Sequence, residues 1–256
     1  IHRIFAVILR HLYNFKHRYD RLTDVFYLPT LDLSVWGITS KFLVEMSGNS
    51  SQALFMVISG ILLFIVVWRG QYEITVNLLS ELWDRNLINL FVSPLKFSEW
   101  VTSLFIIGLF KAIISISFAS FIAFLLYKAN IFSLGLYLIP FIAMLIMSGW
   151  AIGTIVASIL LRFGTKVQTL AWTVAGAVVP FSAVYFPIEI LPKWAQYIAH
   201  ALPTSYIFQG SREVIFNGSL NWSYVGISFV LNIVYLIFGL FLLNRSFKSA
   251  LKKGLQ

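Results

Sequence analysis

The last long apolar stretch of the chain, Tyr224-Val-Gly-Ile-Ser-Phe-Val-Leu-Asn-Ile-Val-Tyr-Leu-Ile-Phe-Gly-Leu-Phe-Leu-Leu243, decides the class of fold. It runs for 20 residues without a charged side chain, and about 20 mostly apolar residues form a helix that crosses the hydrocarbon of a bilayer. The composition agrees, because 59% of the 256 residues are apolar and 11% are charged, against about 25% charged in soluble domains. The sequence therefore predicts an all-α integral membrane protein.

Five other segments also have the length and apolar character of a membrane span. Together they predict six spans, at residues 25–44, 53–72, 99–127, 131–161, 167–187 and 222–244. Charged side chains interrupt the apolar stretch of two of these spans, with Asp32 and Lys41 in the first and Lys111 in the third. They are still counted, because a helix satisfies its own backbone hydrogen bonds in lipid.

The Lys and Arg residues are placed unevenly about these spans. Most of them fall on the side of the two termini, whereas Lys41, Lys128, Lys193 and Arg212 fall on the other side. The positive-inside rule therefore predicts that both termini are cytoplasmic. We expect the protein to lie in the inner membrane of the cell. The formal charge of +9 does not predict a nucleic-acid partner, because the basic residues form no stripe that follows phosphates.

Residues 1–22 open the chain with a basic amphipathic pattern. Their apolar residues recur at helical spacing on one face, and Arg3 and Arg10 lie on the opposite face. Such a helix is expected to lie along the cytoplasmic membrane surface, or else to pack on protein as an ordinary solvated helix. No metal site is predicted, because the histidines here have no acidic companions at ligand spacing and the chain has no cysteine.

Between the second and third spans, residues 77–94 predict a cytoplasmic helix. Glu81, Asp84 and Arg85 cluster on one of its turns, and Pro94 ends it. An apolar face with charges beside it can dock into a groove on a soluble partner. The alternative is a capped loop helix without a partner.

The segment before the last span, residues 188–216, is too apolar for a solvated loop. Pro192 and Pro203 forbid one continuous helix. Two short helices that dip into the outer leaflet fit both facts, and such backbone is tolerated where protein or a water-filled cavity covers it. These helices either gate a translocation path or form a lid without a gating role. Residues 245–256, after the last span, predict a cytoplasmic tail.

Asp32 and Lys111 lie inside predicted spans at similar depths from the cytoplasmic side. Ionisable side chains in lipid are costly and are usually paired or functional. We therefore predict a buried ion pair between Asp32 and Lys111 that ties the first span to the third. A proton relay is the alternative interpretation.

Three stretches of the chain are similar to the motifs of one family. One is Ser80-Glu81-Leu82-Trp83-Asp84-Arg85-Asn86-Leu87, followed by Ser93-Pro94-Leu95. Another is Val184-Tyr185-Phe186-Pro187-Ile188-Glu189-Ile190-Leu191-Pro192-Lys193-Trp194, followed by Ala201-Leu202-Pro203-Thr204-Ser205-Tyr206 and Gly210-Ser211-Arg212. The third is Pro29-Thr-Leu-Asp32-Leu-Ser-Val-Trp36-Gly37 in the first span. On these residues the chain resembles the ABC-2 family of ABC-exporter permeases over essentially its whole length.

The resemblance implies one transmembrane domain over residues 1–256 that forms a homodimer and carries a lipid, a drug-like molecule or a glycan. It implies a cytoplasmic ABC ATPase partner that is bound through Glu81, Asp84, Arg85 and Pro94. It also implies an outer gate formed by Pro187, Glu189, Pro192, Pro203, Tyr206 and Arg212. ATP and Mg are expected on the ATPase and no cofactor is expected in this chain, which has no Gly-x-x-x-x-Gly-Lys-Ser/Thr phosphate loop.

Two other classes of function suit a polytopic membrane protein. An ion-coupled secondary transporter favours an inverted repeat, and residues 25–127 and 131–243 show no convincing one. A membrane-embedded enzyme needs a nucleophile with a base, or a metal constellation, whereas His200 is the only histidine beyond the N-terminal helix. The sequence therefore favours a transport subunit that is not itself an enzyme.

Overall fold

The computed structural model describes residues 2–17, 19–47, 51–87, 89 and 94–253. Parts of three predicted segments lie outside the described residues: residues 1 and 18 of the surface helix, 88 and 90–93 of the coupling helix, and 254–256 of the tail. The described residues form α-helices and short 3₁₀ segments without a strand, which confirms the all-α class. The helices are α1 (His2–His17), α2 (Tyr19–Ser47), α3 (Ser51–Trp83), α4 (Phe97–Tyr127), α5 (Leu138–Phe163), α6 (Leu170–Val178), α7 (Lys193–Ala201), α8 (Pro203–Asn217) and α9 (Trp222–Lys253). The 3₁₀ segments are Ile131–Tyr137, Gly164–Val167, Val179–Phe181 and Ile188–Ile190.

Four segments of the described chain are long and apolar enough to cross a membrane. They are Gln52–Trp83, Phe97–Tyr127, Ile131–Val167 and Trp222–Ala250. Helix α2 has sufficient length, with 29 residues, but it is less apolar, and the segment Leu170–Phe181 is shorter than a span. The multi-pass class rests on the four long helices, and the count of six spans stays a prediction.

Helix α3 is longer than the predicted second span and takes up part of the predicted coupling helix. It continues without a break from Ser51 to Trp83, although the sequence predicts separate elements at 53–72 and 77–94. Residues 71–79 are all buried in the bundle, and no Gly or Pro lies between Gln71 and Trp83 to end the helix. The prediction of a separate helix is therefore wrong for residues 77–83.

The predicted fifth span, residues 167–187, is not one continuous helix. Helix α6 ends at Val178, and a 3₁₀ turn that contains Pro180 follows it. Proline has no N–H for an α-helical hydrogen bond. Ala183 then adopts a φ of 57°, a left-handed conformation that ends helical geometry. The prediction of an unbroken span is wrong here, and the outer segment begins with this turn.

Three further boundaries differ from the prediction. Residues 131–137 of the fourth span form a 3₁₀ segment, with Gly135 at a φ of 59°, before α5 begins. Residues 245–253 of the predicted tail continue helix α9. Residues 19–22 of the predicted surface helix already belong to α2.

Helix α3 packs against α2, α4 and α5, and α9 packs against α5. The backbones of α3 and α5 approach closely, since a Cβ added to Gly149 would lie 2.5 Å from the Val67 carbonyl oxygen and 2.9 Å from Gly70 Cα. Small residues permit such contacts in membrane proteins, where helix association depends on van der Waals packing. This helix crossing therefore requires glycine at position 149.

Candidate functional site

The end of α3, the turn at residues 84–86 and helix α1 meet in a region that we call the corner. Glu81 is buried there, and its carboxylate accepts hydrogen bonds from Arg10 at 2.5 Å and from Asn86 Nδ2 at 2.7 Å. The Asn86 N–H also donates to the Glu81 carbonyl oxygen at 2.9 Å. Arg85 has a φ of 51°, which reverses the chain after the helix. Glu81 therefore positions the turn against α1 and does not itself present a charge to a partner.

Asp84 and Arg85 are exposed in this turn, next to the half-exposed Trp83. The Trp83 indole N–H donates to Gln168 Oε1 at 3.1 Å. The same ring stacks on Trp172 of α6 with 6.1 Å between the ring centroids. Asp84 and Arg85 thus present opposite charges on a turn that is held from two sides.

Pro94 lies beside α1, where Arg3 Nη1 donates to its carbonyl oxygen at 2.5 Å. A groove of about 460 Å³ runs between α1 and this part of the chain. The groove is lined by Arg3, Ala6, Val7, Arg10, Asn86, Asn89, Pro94 and Leu95. It combines two guanidinium groups with small apolar side chains, a surface suited to a protein partner.

Lys111 is buried in α4 and forms an ion pair with Glu73 of α3. Its Nζ lies 2.7 Å from Glu73 Oε2, and the two side chains are 4% and 1% exposed. Asn77 Nδ2 donates to the same carboxylate at 3.1 Å, and Lys111 Nζ lies 4.9 Å from the centroid of the Phe15 ring. The predicted Asp32–Lys111 pair is therefore wrong, because α3 rather than α2 turns its carboxylate toward Lys111.

Arg69 of α3 is 1% exposed and joins that helix to α2 and α4. Its Nε donates to Ser115 Oγ at 2.9 Å, and its Nη2 donates to the Asp24 carbonyl oxygen. The Ser115 hydroxyl donates to the Val25 carbonyl oxygen at 3.1 Å. Pro29 lies inside α2 and has no N–H to donate to that carbonyl. A side chain of α4 thus replaces the hydrogen bond that the proline removes.

The sequence interpretation gives no role to Glu73 or Arg69, and it assigns no partner to Arg10. Arg69, Glu73 and Asn77 recur at every fourth position and so share one face of α3. A lysine inside a span needs an anionic partner, and this polar stripe was the available signal for Glu73. Because the second span is predicted to end at residue 72, it includes Arg69 but neither Glu73 nor Asn77, and the shared face is not recognised.

Asp32 lines a cavity of about 270 Å³ between α2, α3 and the end of α6. Trp68 and Arg69 line it from α3, and Tyr185 lines it from the turn after α6. The Tyr185 ring stacks on Trp36 of α2, with 5.2 Å between the ring centroids. The cavity thus combines a carboxylate, a guanidinium group and aromatic walls.

Arg212 of α8 anchors the turn that opens the outer segment. It is 8% exposed, and its Nη2 donates to the carbonyl oxygens of Ala183 and, at 2.9 Å, of Phe186, the residue before Pro187. Burial lowers the pKa of the Arg212 guanidinium to about 10, and the charge of the exposed Glu189 opposes this shift. The group therefore stays protonated at neutral pH and keeps its hydrogen bonds.

The outer segment contains two short helices, α7 and α8, and each follows or begins with a proline. Pro192 precedes α7, and Pro203 begins α8. Ser228 of α9 donates to the Pro203 carbonyl oxygen at 2.8 Å, and the Tyr206 hydroxyl donates to the His200 carbonyl oxygen at 2.9 Å. The two helices are therefore fixed to each other and to α9, while their depth in the outer leaflet stays a prediction.

Long apolar helices that enclose a buried ion pair and a polar-lined cavity define a multi-pass membrane protein. The family model for the ABC-2 type transporter matches residues 5–216. The chain belongs to this family, which confirms the resemblance seen in the motifs. It is therefore the membrane-spanning permease component of an ABC transporter. A comparison with curated proteins gives no match.

Proposed function

We propose that this permease works in an ATP-driven exporter, in which a separate cytoplasmic ABC ATPase holds ATP and Mg and docks at the corner. The observation that carries the proposal is the exposed charge of Asp84 and Arg85 on a turn held by Glu81 and Trp83. A pre-ordered turn suits docking, because little conformational freedom is lost on binding. ABC-2 permease domains generally pair with such an ATPase.

The corner has a direct mechanical connection to the membrane helices. Asp84 follows α3 immediately, and α3 is one uninterrupted helix. The Arg10–Glu81 pair attaches α1, which also packs against α4 and α2. A movement of the ATPase at the turn is therefore transmitted to α3, and through α1 to α4 and α2.

The membrane arrangement in this proposal has six spans, with both termini in the cytoplasm and the protein in the inner membrane. Helix α2 supplies the first span, since its 29 residues reach about 44 Å. The fifth crossing consists of α6 and the 3₁₀ segments on either side of it, Gly164–Val167 and Val179–Phe181, because α6 with the turn after it is shorter than a span. A second copy completes a homodimer, and the large apolar side chains exposed on α2 and α9 are covered by lipid or by that copy.

The proposed outer gate is formed by α7, α8 and the turn before them. The hydrogen bonds that Arg212 donates to the carbonyl oxygens of Ala183 and Phe186 support this proposal, because they connect α8 to the turn near Pro187. Glu189, Pro192, Pro203 and Tyr206 shape the same segment. The cargo is a lipid, a drug-like molecule or a glycan that leaves through this segment.

Co-purification with the ATPase tests the docking proposal. The chain is co-expressed with a tagged ABC ATPase, and the amount of permease retained is measured. Asp84→Ala combined with Arg85→Ala should reduce retention about tenfold or more, because both exposed charges of the turn are lost. The matched control is Lys41→Ala with Glu45→Ala, which removes an exposed ion pair near the far end of α2 and should leave retention unchanged. Full retention of the Asp84/Arg85 variant at equal membrane expression would exclude docking at the corner.

A further inference from the structure

We propose that the cavity between α2, α3 and the turn after α6 binds a lipophilic organic cation, with Asp32 as its counter-charge and aromatic rings as its walls. The ligand class is an ammonium ion with apolar substituents. The inference rests on the proposed function in one respect, because it narrows the drug-like cargo of the permease to cations. Binding itself requires neither the ATPase nor the corner, so the two proposals are tested separately.

Asp32 lacks the counter-charge that a carboxylate in its position needs. It lies near the middle of α2, about 20 Å from either end of this 29-residue helix. It forms neither an ion pair within 4.0 Å nor a hydrogen bond with a described residue. Ionisable side chains inside a span are costly and are usually paired or functional. We therefore expect a ligand to supply the positive charge.

Aromatic rings line the same cavity from two sides. Phe64 and Trp68 line it from α3, and Tyr185 lines it from the turn after α6. Trp36 follows Asp32 by one helical turn on the same face of α2, and its ring stacks on Tyr185 with 5.2 Å between the centroids. This contact places the Tyr185 ring within about one helical turn of Asp32. Aromatic faces attract cations and bind quaternary ammonium ligands, so these walls suit an organic ammonium ion.

The positive charge of Arg69 lies toward the other end of the cavity. Its guanidinium group donates hydrogen bonds to the Asp24 carbonyl oxygen and to the Ser115 hydroxyl. Asp24 precedes Asp32 by about two helical turns, or about 12 Å along α2. A cation beside Asp32 is therefore closer to the carboxylate than to the guanidinium group.

The lining of the cavity does not suit a metal ion. Among the described residues that line it, side-chain oxygens come from Asp32 and Tyr185 alone, whereas Ca²⁺ binds about six to eight oxygen atoms. The volume of about 270 Å³ is slightly below the range of about 300–1,000 Å³ that holds drug-sized ligands. It suits a small organic ion such as phenyltrimethylammonium, whose charge is surrounded by methyl groups.

Equilibrium dialysis with tritiated phenyltrimethylammonium tests the site. The full chain is purified without an ATPase in a neutral detergent, and the saturable binding of the cation per chain is measured. An excess of unlabelled phenyltrimethylammonium should displace the labelled ion. Its neutral isostere tert-butylbenzene, at the same concentration, should not displace it, because it has the same shape but no charge for Asp32. Sodium at that concentration should not displace it either, because it gains nothing from the aromatic walls.

Four variants locate the binding in this cavity, and a thermal melt followed by tryptophan fluorescence checks that each is folded. Asp32→Asn should weaken binding about tenfold or more, the ratio that one charged contact provides. Asp32→Glu keeps the charge and should stay within about threefold of the unmodified chain. Tyr185→Leu removes an aromatic wall and should weaken binding about threefold. Glu45→Gln makes the same chemical change as Asp32→Asn on an exposed part of the same helix and should leave binding unchanged.

Several results would overturn the proposal. They are the absence of saturable binding by the unmodified chain, and undiminished binding by both Asp32→Asn and Tyr185→Leu. Displacement by tert-butylbenzene would show a merely apolar cavity, and displacement by sodium would show a plain cation site, so either result would overturn it as well. A chain that binds the cation but does not retain the ATPase would refute docking at the corner and leave the cation site intact.

Discussion

Replacing Lys111 by Met should destabilise the helix bundle strongly. The substitution leaves the carboxylate of Glu73, which is 1% exposed, without the ammonium that lies 2.7 Å away. Asn77 still donates one hydrogen bond to it, but an amide does not neutralise a charge. The substitution also removes the contact of the ammonium with the Phe15 ring.

The expected loss follows from the burial of the pair. Removing one partner of a buried ion pair costs about 3–5 kcal/mol, because the remaining charge stays desolvated and has lost this counter-charge. Glu73→Gln should cost a similar amount, because Lys111 then loses the carboxylate that lies 2.7 Å away. The double variant removes both charges, so it should lose less free energy of unfolding than either single variant. The exposed pair of Lys41 with Glu45, at 3.9 Å, is the control, and Lys41→Met should cost less than about 0.5 kcal/mol.

Equilibrium unfolding in mixed dodecylmaltoside–SDS micelles, followed by tryptophan fluorescence, measures these free energies. A double variant whose loss equals the sum of the two single losses would show that Lys111 and Glu73 do not interact energetically. A loss below about 1 kcal/mol for Lys111→Met would show that the ammonium is solvated, and the description of the pair as buried would fail.

Two further substitutions test the packing of α5 in the same assay. Gly149→Ala should cost about 1–3 kcal/mol, because the added Cβ has no space. Its control is Gly226→Ala, which should not destabilise, since no atom lies within 4 Å of the added Cβ. Equal stability of the two variants would refute the close crossing of α3 and α5. Asn232→Leu should cost about 0.6–1.7 kcal/mol, since Asn232 accepts a hydrogen bond from Ser148 at 2.8 Å, and Asn244→Leu on the same helix is its control. An unchanged unfolding curve for Asn232→Leu would mean that this hydrogen bond adds no net stability.

The class of fold and the division of the outer segment are predictable because their signals are local. The apolar length of residues 224–243 alone identifies the membrane-spanning part of α9. Pro192 and Pro203 separate α7 from α8, since proline removes a backbone donor wherever it stands. The family follows from motifs that are equally contiguous, and the match over residues 5–216 confirms it.

The partner of Lys111 is not predictable in the same way. Counting residues from the end of a span gives the depth of a side chain, and by depth Asp32 is an acceptable partner. An ion pair also requires that two helices turn the right faces toward each other, and the packing of α3 on α4 decides this. The Arg10–Glu81 contact joins residues 71 positions apart, so it too depends on tertiary packing that single-segment patterns do not contain.

The unbroken course of α3 makes it a stiff lever. Its 33 residues contain no proline, so it extends for about 50 Å, and a tilt of about 10° displaces its far end by about 9 Å. The neighbouring α2 has Pro29 in its interior, a position where a helix bends readily. A displacement imposed at Trp83 is therefore transmitted along α3 to Ser51 with little loss, whereas the neighbouring α2 bends at Pro29.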